Sequence, residues 1–195
     1  GWKIAEHVRF GSYEAARIDR SWTRGSDLQV LVYEGNRRKQ QYTFVLREGR
    51  ADRWRVTCEA YLSQHTVHTP AVDVALADRS ELDCTFRPAG ASDGAWTLRL
   101  VADRERPLEG ELAGGDARLD VRGTRRLQKG LSTGTTTGYE VLDGAHPVAA
   151  VEVMGDGAVW LDAAASGDRQ GMLSATAAAL LLLEDLRAHL PGGQT

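Results

Sequence analysis

The chain has 195 residues, of which 42% are hydrophobic and 26% are charged, and 24 basic against 27 acidic side chains leave a formal net charge of -3. This composition excludes an intrinsically disordered segment and predicts a folded globular chain, which we expect to form a single domain over 1–195. Without a basic excess, the chain also lacks the general charge attraction on which nucleic-acid binding depends, so we expect no nucleic-acid partner.

Short stretches that alternate hydrophobic and polar residues dominate the first 160 residues, broken by turn-forming residues every 8 to 12 positions or so, which is typical of antiparallel β-structure. We predict strands at 7–13, 28–33, 41–46, 54–62, 72–77, 81–86, 96–102, 108–112 and 117–121. The turn-like residues Glu34 to Arg37 predict that 28–33 and 41–46 pair as a hairpin. Segment 63–71 is expected to be a surface loop or crossover, and 122–138 a flexible connection.

The two cysteines, Cys58 and Cys84, lie 26 positions apart, and each sits inside a predicted strand. If the two strands are neighbours, a disulfide between them would stabilise the fold by roughly 3 to 4 kcal/mol in the chain-entropy description. The alternative is two buried, reduced thiols. An oxidised pair would place the protein outside the cytoplasm.

The C-terminal part predicts strands at 139–143, 147–154 and 158–162, followed by one helix over 166–190. The run Gly171 to Leu183 carries no charge, so as a helix it must be surrounded by protein or lipid. At thirteen residues it is roughly 20 Å long, too short for a bilayer core of about 30 Å. The predicted fold is therefore mainly β, an antiparallel meander that closes as a barrel, or a sandwich, around this buried hydrophobic C-terminal α-helix.

The closing meander 138–144, 147–153 and 159–161, together with the apolar helix 172–183, resembles the tubby-like barrel superfamily. That superfamily includes tubby C-terminal domains, phospholipid scramblases and LURP-one-related plant proteins. The resemblance lies in the order and patterning of the elements, and it implies a barrel around a helix. Tubby domains bind phosphoinositide headgroups through basic residues, but no Lys/Arg cluster here matches that site, so the resemblance implies the fold alone.

Two basic clusters are candidate contacts for anionic lipid, polysaccharide or an acidic partner, the alternative being a solvated surface. They comprise Arg37, Arg38 and Lys39 at the predicted hairpin tip, and Arg122, Arg125 and Arg126 before the glycine-rich connection. Trp2 and Trp22 lie beside charged residues and outside the clean strands, and are candidate anchors of a protein interface.

His65 and His68 form a His-x-x-His pair in the predicted 63–71 loop, where they are candidate binding residues. A structural metal site needs four ligands, so we predict no metal. The Gly130 to Gly138 stretch lacks the Gly-Lys-Ser/Thr ending of a phosphate-binding loop, and no Gly-x-Ser-x-Gly motif is present. We predict no cofactor and name no catalytic residue.

We therefore expect a non-catalytic binding or assembly protein of the bacterial cell envelope, periplasmic or associated with the outer membrane. The start Gly1-Trp2, without an initiator Met, fits a cleaved signal peptide, a matured lipoprotein or a trimmed chain. We expect a protein partner in an envelope complex, or anionic lipid or polysaccharide, and no transmembrane segment. Two alternatives stay open: a cytoplasmic tubby-like barrel that binds lipid or another ligand, and a hydrolase with a dispersed active site.

Overall fold

A computed structural model of the chain describes residues 8–24, 28–30, 33–68, 73–90, 94–104, 106–125 and 136–183. These residues form twelve strands and one helix. The elements are β1 (Val8–Phe10), β2 (Tyr13–Arg24), β3 (Leu28–Val30), β4 (Tyr33–Glu48), β5 (Ala51–His68), β6 (Asp73–Pro88), β7 (Trp96–Asp103), β8 (Glu109–Gly114), β9 (Ala117–Thr124), β10 (Gly138–Asp143), β11 (His146–Glu152), β12 (Ala158–Leu161) and α1 (Gly167–Leu182).

The strands form one antiparallel sheet that follows the order of the chain. Neighbours in the sheet run β1-β2-β4-β5-β6-β7-β8-β9-β10-β11-β12, and the short strand β3 pairs with the start of β4. The meander curls until it is nearly closed into a barrel. The predicted fold class is confirmed, with a barrel rather than a sandwich.

Helix α1 occupies the inside of this barrel. It contacts β1 and β2 at one end of the sheet, β11 and β12 at the other, and β4 to β6 between them. Every residue from Gly171 to Leu180 is buried, as a helix that is apolar on all sides requires. Small side chains allow the close approach: a Cβ on Gly171 would lie only 3.1 Å from the indole nitrogen of Trp54.

Strand alternation explains which side chains fill the core. In β5, Trp54, Val56, Cys58, Ala60 and Leu62 are buried, while the residues between them face outwards. The predicted inward face of this strand is therefore confirmed. Its neighbours β4 and β6 contribute Tyr42, Phe44, Leu46, Leu82 and Phe86 to the same core.

Cys58 and Cys84 form the predicted disulfide. The two residues are direct cross-strand partners in β5 and β6, with their Cα atoms 4.1 Å apart. Both are buried on the inner face of the barrel. A disulfide of this kind is typical of proteins that mature in an oxidising environment.

The first predicted strands are wrong in their limits. Residues 7–13 are not one strand, because the chain turns at Gly11 and Ser12 between β1 and β2. The predicted hairpin of 28–33 with 41–46 does not form, because Glu34 to Arg37 lie inside β4 and pair with β5. Since this ladder satisfies their backbone groups, the turn-forming residues do not break the strand.

The predicted loop 63–71 is also wrong for its first part. Residues 63–68 continue β5 between β4 and β6, and the two strands predicted at 72–77 and 81–86 are the single strand β6. An irregularity opposite Ser63 and Gln64 accommodates one extra residue in β6. An interior strand gains hydrogen bonds on both edges, which offsets the weak β-propensity of a polar sequence.

Two further boundaries differ from the prediction. Residues 122–124 belong to β9 and Gly138 to β10, so only part of the predicted connection 122–138 lies between strands, and 126–135 fall outside the described residues. The helix predicted over 166–190 ends at Leu182, because the backbone of Leu183 is extended. Residues 184–195 also lie outside the described part of the chain.

Candidate binding groove

A groove on the outer face of the sheet, over the β5–β6 pair, is the candidate site. It has a volume of about 580 Å³ and is open to solvent. It is lined by Arg55, Thr57, Thr85, Arg87, Pro88 and Gly90. Below, this feature is called the Arg55–Arg87 groove.

The strand register places like side chains opposite each other in the groove. Arg55 in β5 is the direct partner of Arg87 in β6, and Thr57 is the direct partner of Thr85. Their buried neighbours along the two strands are Trp54, Val56, Cys58, Cys84 and Phe86. The four side chains at the alternate positions therefore point away from the core. The floor of the groove therefore consists of two guanidinium groups beside two hydroxyl groups.

These two arginines form no ion pair with a described carboxylate, in contrast to several other arginines on the barrel surface. Among the described residues, neither the Arg55 nor the Arg87 guanidinium forms a hydrogen bond or ion pair. Elsewhere arginines are paired with acids: Arg99 with Asp83 at 3.4 Å, Arg118 with Glu111 at 3.0 Å, and Arg122 with Asp120 at 3.2 Å. Like charges directly opposite each other on a sheet are destabilising, so an anion in the groove would relieve a real cost.

A neighbouring ion-pair network lies at the start of β5 but does not neutralise the groove. Arg47 and Arg17 bind Asp52 at 2.9 and 3.2 Å. The hydrogen bond from Arg47 is the main cause that lowers the pKa of Asp52, and Arg55 adds only a weaker attraction at longer range. The Asp52 carboxylate is thus already bound by two other guanidinium groups.

Lys39 is the one predicted site residue of the 37–39 cluster whose side chain is described, and it lies mid-strand in β4 rather than at a hairpin tip. Its Nζ is 3.1 Å from Glu59 and 5.1 Å from the centre of the Tyr61 ring. Contact with Tyr61 and then Glu59 raises the pKa of Lys39. The Tyr61 hydroxyl, which donates to Glu59 across 2.6 Å, and then Lys39 lower the pKa of Glu59. This lysine is already partnered.

Among the remaining predicted site residues, only Arg122 and Arg125 have described side chains, and neither lines the groove. Arg122 is exposed and pairs with Asp120, and Arg125 follows the end of β9 and is half-buried. The backbones of Trp22, Arg37, Arg38, His65 and His68 lie in β2, β4 and β5, but their side chains fall outside the described residues, as do Trp2 and Arg126 entirely.

Two further properties bear on the chemistry of the molecule. Within the described ranges, His, Cys, Asp and Glu side chains form no group of three or more suited to hold a metal ion. In the same part of the chain, no helix has both the length and the apolar character needed to cross a bilayer.

Sequence reasoning missed the groove because its residues form no motif. Arg55 and Arg87 are 32 positions apart and become neighbours only through the β5–β6 register. The available signal was the cysteine pair: if Cys58 faces Cys84 in an antiparallel ladder, Thr57 must face Thr85 and Arg55 must face Arg87.

Comparison of the chain with protein-family models, with curated proteins and with solved structures finds no match.

Proposed function

We propose that the chain is a non-catalytic binding protein of the bacterial cell envelope, which engages its partner through the Arg55–Arg87 groove. The observation that carries this proposal is the pair of directly opposed arginines, which have no acidic partner in the described chain and line a solvent-open groove. Two guanidinium groups offer several hydrogen-bond donors in a fixed planar arrangement, which suits an anionic group.

The sheet supports binding because it holds the groove in a fixed shape. β5 and β6 are interior strands, paired on both edges and joined by the disulfide three residues from Arg55 and Arg87 along each strand. A preformed site avoids the ordering cost that a mobile loop would add on binding. Arg55, Thr57, Thr85 and Arg87 therefore stand on strands of the sheet rather than on a loop.

The disulfide supports the proposed location. Disulfides persist in the periplasm and at cell surfaces and are rare in the cytoplasm, where thiols are kept reduced. We accordingly propose a periplasmic or outer-membrane-associated protein. A bacterial source is part of the proposal and is supported by the strong preference for arginine over lysine in the sequence.

A cytoplasmic tubby-like barrel is the second candidate, because a nearly closed antiparallel barrel around one C-terminal helix is compatible with that superfamily. The two candidates differ in their cysteines. A cytoplasmic barrel should contain two reduced thiols, whereas an envelope protein should contain the disulfide.

The location is tested by treating intact cells of the source organism with an alkylating reagent before the protein is isolated from separated fractions. We expect the protein in the envelope or periplasmic fraction, with both cysteines alkylated only after reduction, as read from the intact mass. A Cys58→Ala/Cys84→Ala variant should stay in the same fraction, since the disulfide stabilises the fold and does not determine the location. Two freely alkylated thiols in the cytosolic fraction would favour the tubby-like candidate.

A further inference from the structure

A row of threonines leads across the sheet from the Arg55–Arg87 groove. Thr43 in β4, Thr57 in β5, Thr85 in β6 and Thr97 in β7 are successive cross-strand partners. Each lies at an outward-facing position, and adjacent strands are about 4.8 Å apart. The row therefore presents regularly spaced hydroxyl groups, each able to donate and to accept a hydrogen bond, with the two arginines on one side.

The position of the groove argues against a polypeptide partner that adds a strand. Such partners bind through free backbone groups at a sheet edge. Beside the groove β5 is paired with β4, and β6 is paired with β7 as far as Phe86. The stretch of β6 left there without a β7 partner is only Arg87 and Pro88, and Pro88 has no backbone N–H to donate, so it is too short to hold an added strand. Only side chains are left to make contacts on this face.

The surroundings of the groove argue against a membrane surface as well. Peripheral binding to a bilayer combines basic residues with apolar side chains that enter the headgroup region. Within the described chain, the exposed large hydrophobic residues are Tyr61, Met154 and Trp160, and none of them lines the groove. Apart from Pro88, the groove offers cations and hydroxyl groups, and no large exposed apolar side chain beside them could enter a headgroup region.

We infer that the Arg55–Arg87 groove binds an acidic polysaccharide, with Arg55 and Arg87 holding a carboxylate or sulfate group. The threonine row then contacts the hydroxyl groups of neighbouring sugars. This inference rests on the proposed binding role of the groove and adds the chemical class of the partner. An extended polymer fits an open groove on a sheet face better than a small molecule, which binds in concave pockets that enclose most of its surface.

The test is a calorimetric titration that measures the affinity of the purified chain for polygalacturonate, for dextran sulfate and for neutral dextran. Polygalacturonate carries carboxylates and dextran sulfate carries sulfate esters, so the two arms distinguish the acidic group. We expect binding to one or both acidic polymers, weakened by rising salt, and no binding to neutral dextran. In the Arg55→Gln/Arg87→Gln variant the affinity should fall by about tenfold or more, because charge-assisted hydrogen bonds are lost.

An Arg50→Gln/Arg106→Gln variant is the matched control. Both arginines are exposed, have no ion pair in the described part of the chain and lie outside the groove lining. The control removes the same charge, and its affinity should stay unchanged. The groove variant should melt at the same temperature as the wild type or higher, because two opposed like charges are removed; this measurement separates lost binding from lost folding.

Three outcomes would overturn the inference. Equal loss of affinity in the groove and control variants would show general charge attraction. Equally tight, groove-dependent binding of poly-glutamate or of phosphatidylglycerol vesicles would assign the groove to an acidic polypeptide or a lipid surface. Absence of binding to both acidic polymers would exclude an acidic polysaccharide as the partner.

Failure of this inference is distinguishable from failure of the proposed function. A protein found oxidised in the envelope that ignores acidic polysaccharides leaves the envelope role standing with another partner. If the protein is found reduced in the cytosol but binds polygalacturonate through Arg55 and Arg87, the polysaccharide site is supported and the envelope role is contradicted.

Discussion

Tyr42 places a phenolic hydroxyl inside the barrel, where it joins the sheet to the helix. The side chain is fully buried, and its hydroxyl donates a hydrogen bond to the Ala179 carbonyl oxygen across 2.8 Å. The same carbonyl also accepts from the Leu183 backbone N–H at 3.1 Å. Removing the Tyr42 hydroxyl therefore leaves the acceptor satisfied.

Replacing Tyr42 by Phe is expected to lower the free energy of unfolding by about 1 kcal/mol, because one buried hydrogen bond is lost without stranding its partner. Urea denaturation followed by circular dichroism measures the change. Tyr61→Phe serves as the comparison, since the Tyr61 hydroxyl bonds Glu59 at the exposed surface, and it should change stability by no more than about 0.5 kcal/mol. Equal effects of the two substitutions would contradict the role of Tyr42.

The same residue predicts how stability depends on pH. Burial, and then the neighbouring Tyr139, raise the pKa of Tyr42 well above its ordinary value of 10.0. Above pH 10 the unfolded chain has released this proton and the folded chain has not, so the free energy of unfolding falls as pH rises, by up to about 1.4 kcal/mol per pH unit. Below pH 10 the proton is bound in both states, so the contribution of Tyr42 to the free energy of unfolding is fully present.

Urea titrations between pH 9 and pH 11 test this dependence. In Tyr42→Phe the free energy of unfolding should decline less between these two pH values, because one of the groups responsible is gone. Burial also raises the pKa of Tyr13, so the part of the decline that is due to Tyr13 should persist. An identical decline in wild type and variant would show that Tyr42 does not titrate differently in the two states.

At the scale of single elements, β5 and β6 depend on the disulfide between them. Its loop spans 26 positions, for which the chain-entropy description gives roughly 3 to 4 kcal/mol. Cys58→Ala/Cys84→Ala should therefore retain the barrel but unfold with about 3 kcal/mol less free energy. Urea denaturation should give the same free energy of unfolding for the variant and for the reduced wild type. A decrease of less than about 1 kcal/mol in both, relative to the oxidised wild type, would contradict this account.

The helix contributes through its packing inside the sheet. Leu180 is buried, in a helix that contacts strands on several sides, so Leu180→Ala leaves a cavity that should cost about 2 to 5 kcal/mol. Met154→Ala, at a residue that is 42% exposed, removes a comparable side chain and should cost much less. The melting temperatures of the two variants measure the difference, and similar values would place α1 outside the core.

Elements with a strong pattern were predictable from the sequence, and those that depend on their neighbours were not. The inward face of 54–62 follows directly from hydrophobic alternation, and the apolar helix follows from its thirteen-residue run without charge. Glu34 to Arg37 and residues 63–68 carry turn-forming or polar residues, yet they are strand because β4 and β5 satisfy each other's backbone groups. Local sequence does not contain that information.

For the whole molecule, net charge conceals the feature that distinguishes its surface. The chain is slightly acidic, and ion pairs such as Arg99–Asp83 and Arg118–Glu111 balance much of the barrel exterior. The Arg55–Arg87 groove is where two cations meet without such balance. The barrel was predictable from the number of strands and the helix, whereas the groove follows from the register, which the confirmed Cys58–Cys84 pairing determines.

The central claim is that this groove holds the protein to its partner in the cell envelope. The most direct measurement is the fraction of the protein retained in washed envelopes of the source organism, for the wild type and for the Arg55→Gln/Arg87→Gln and Arg50→Gln/Arg106→Gln variants at equal expression. The account predicts that the groove variant is released while the wild type and the control variant stay bound. Equal retention of all three would contradict it.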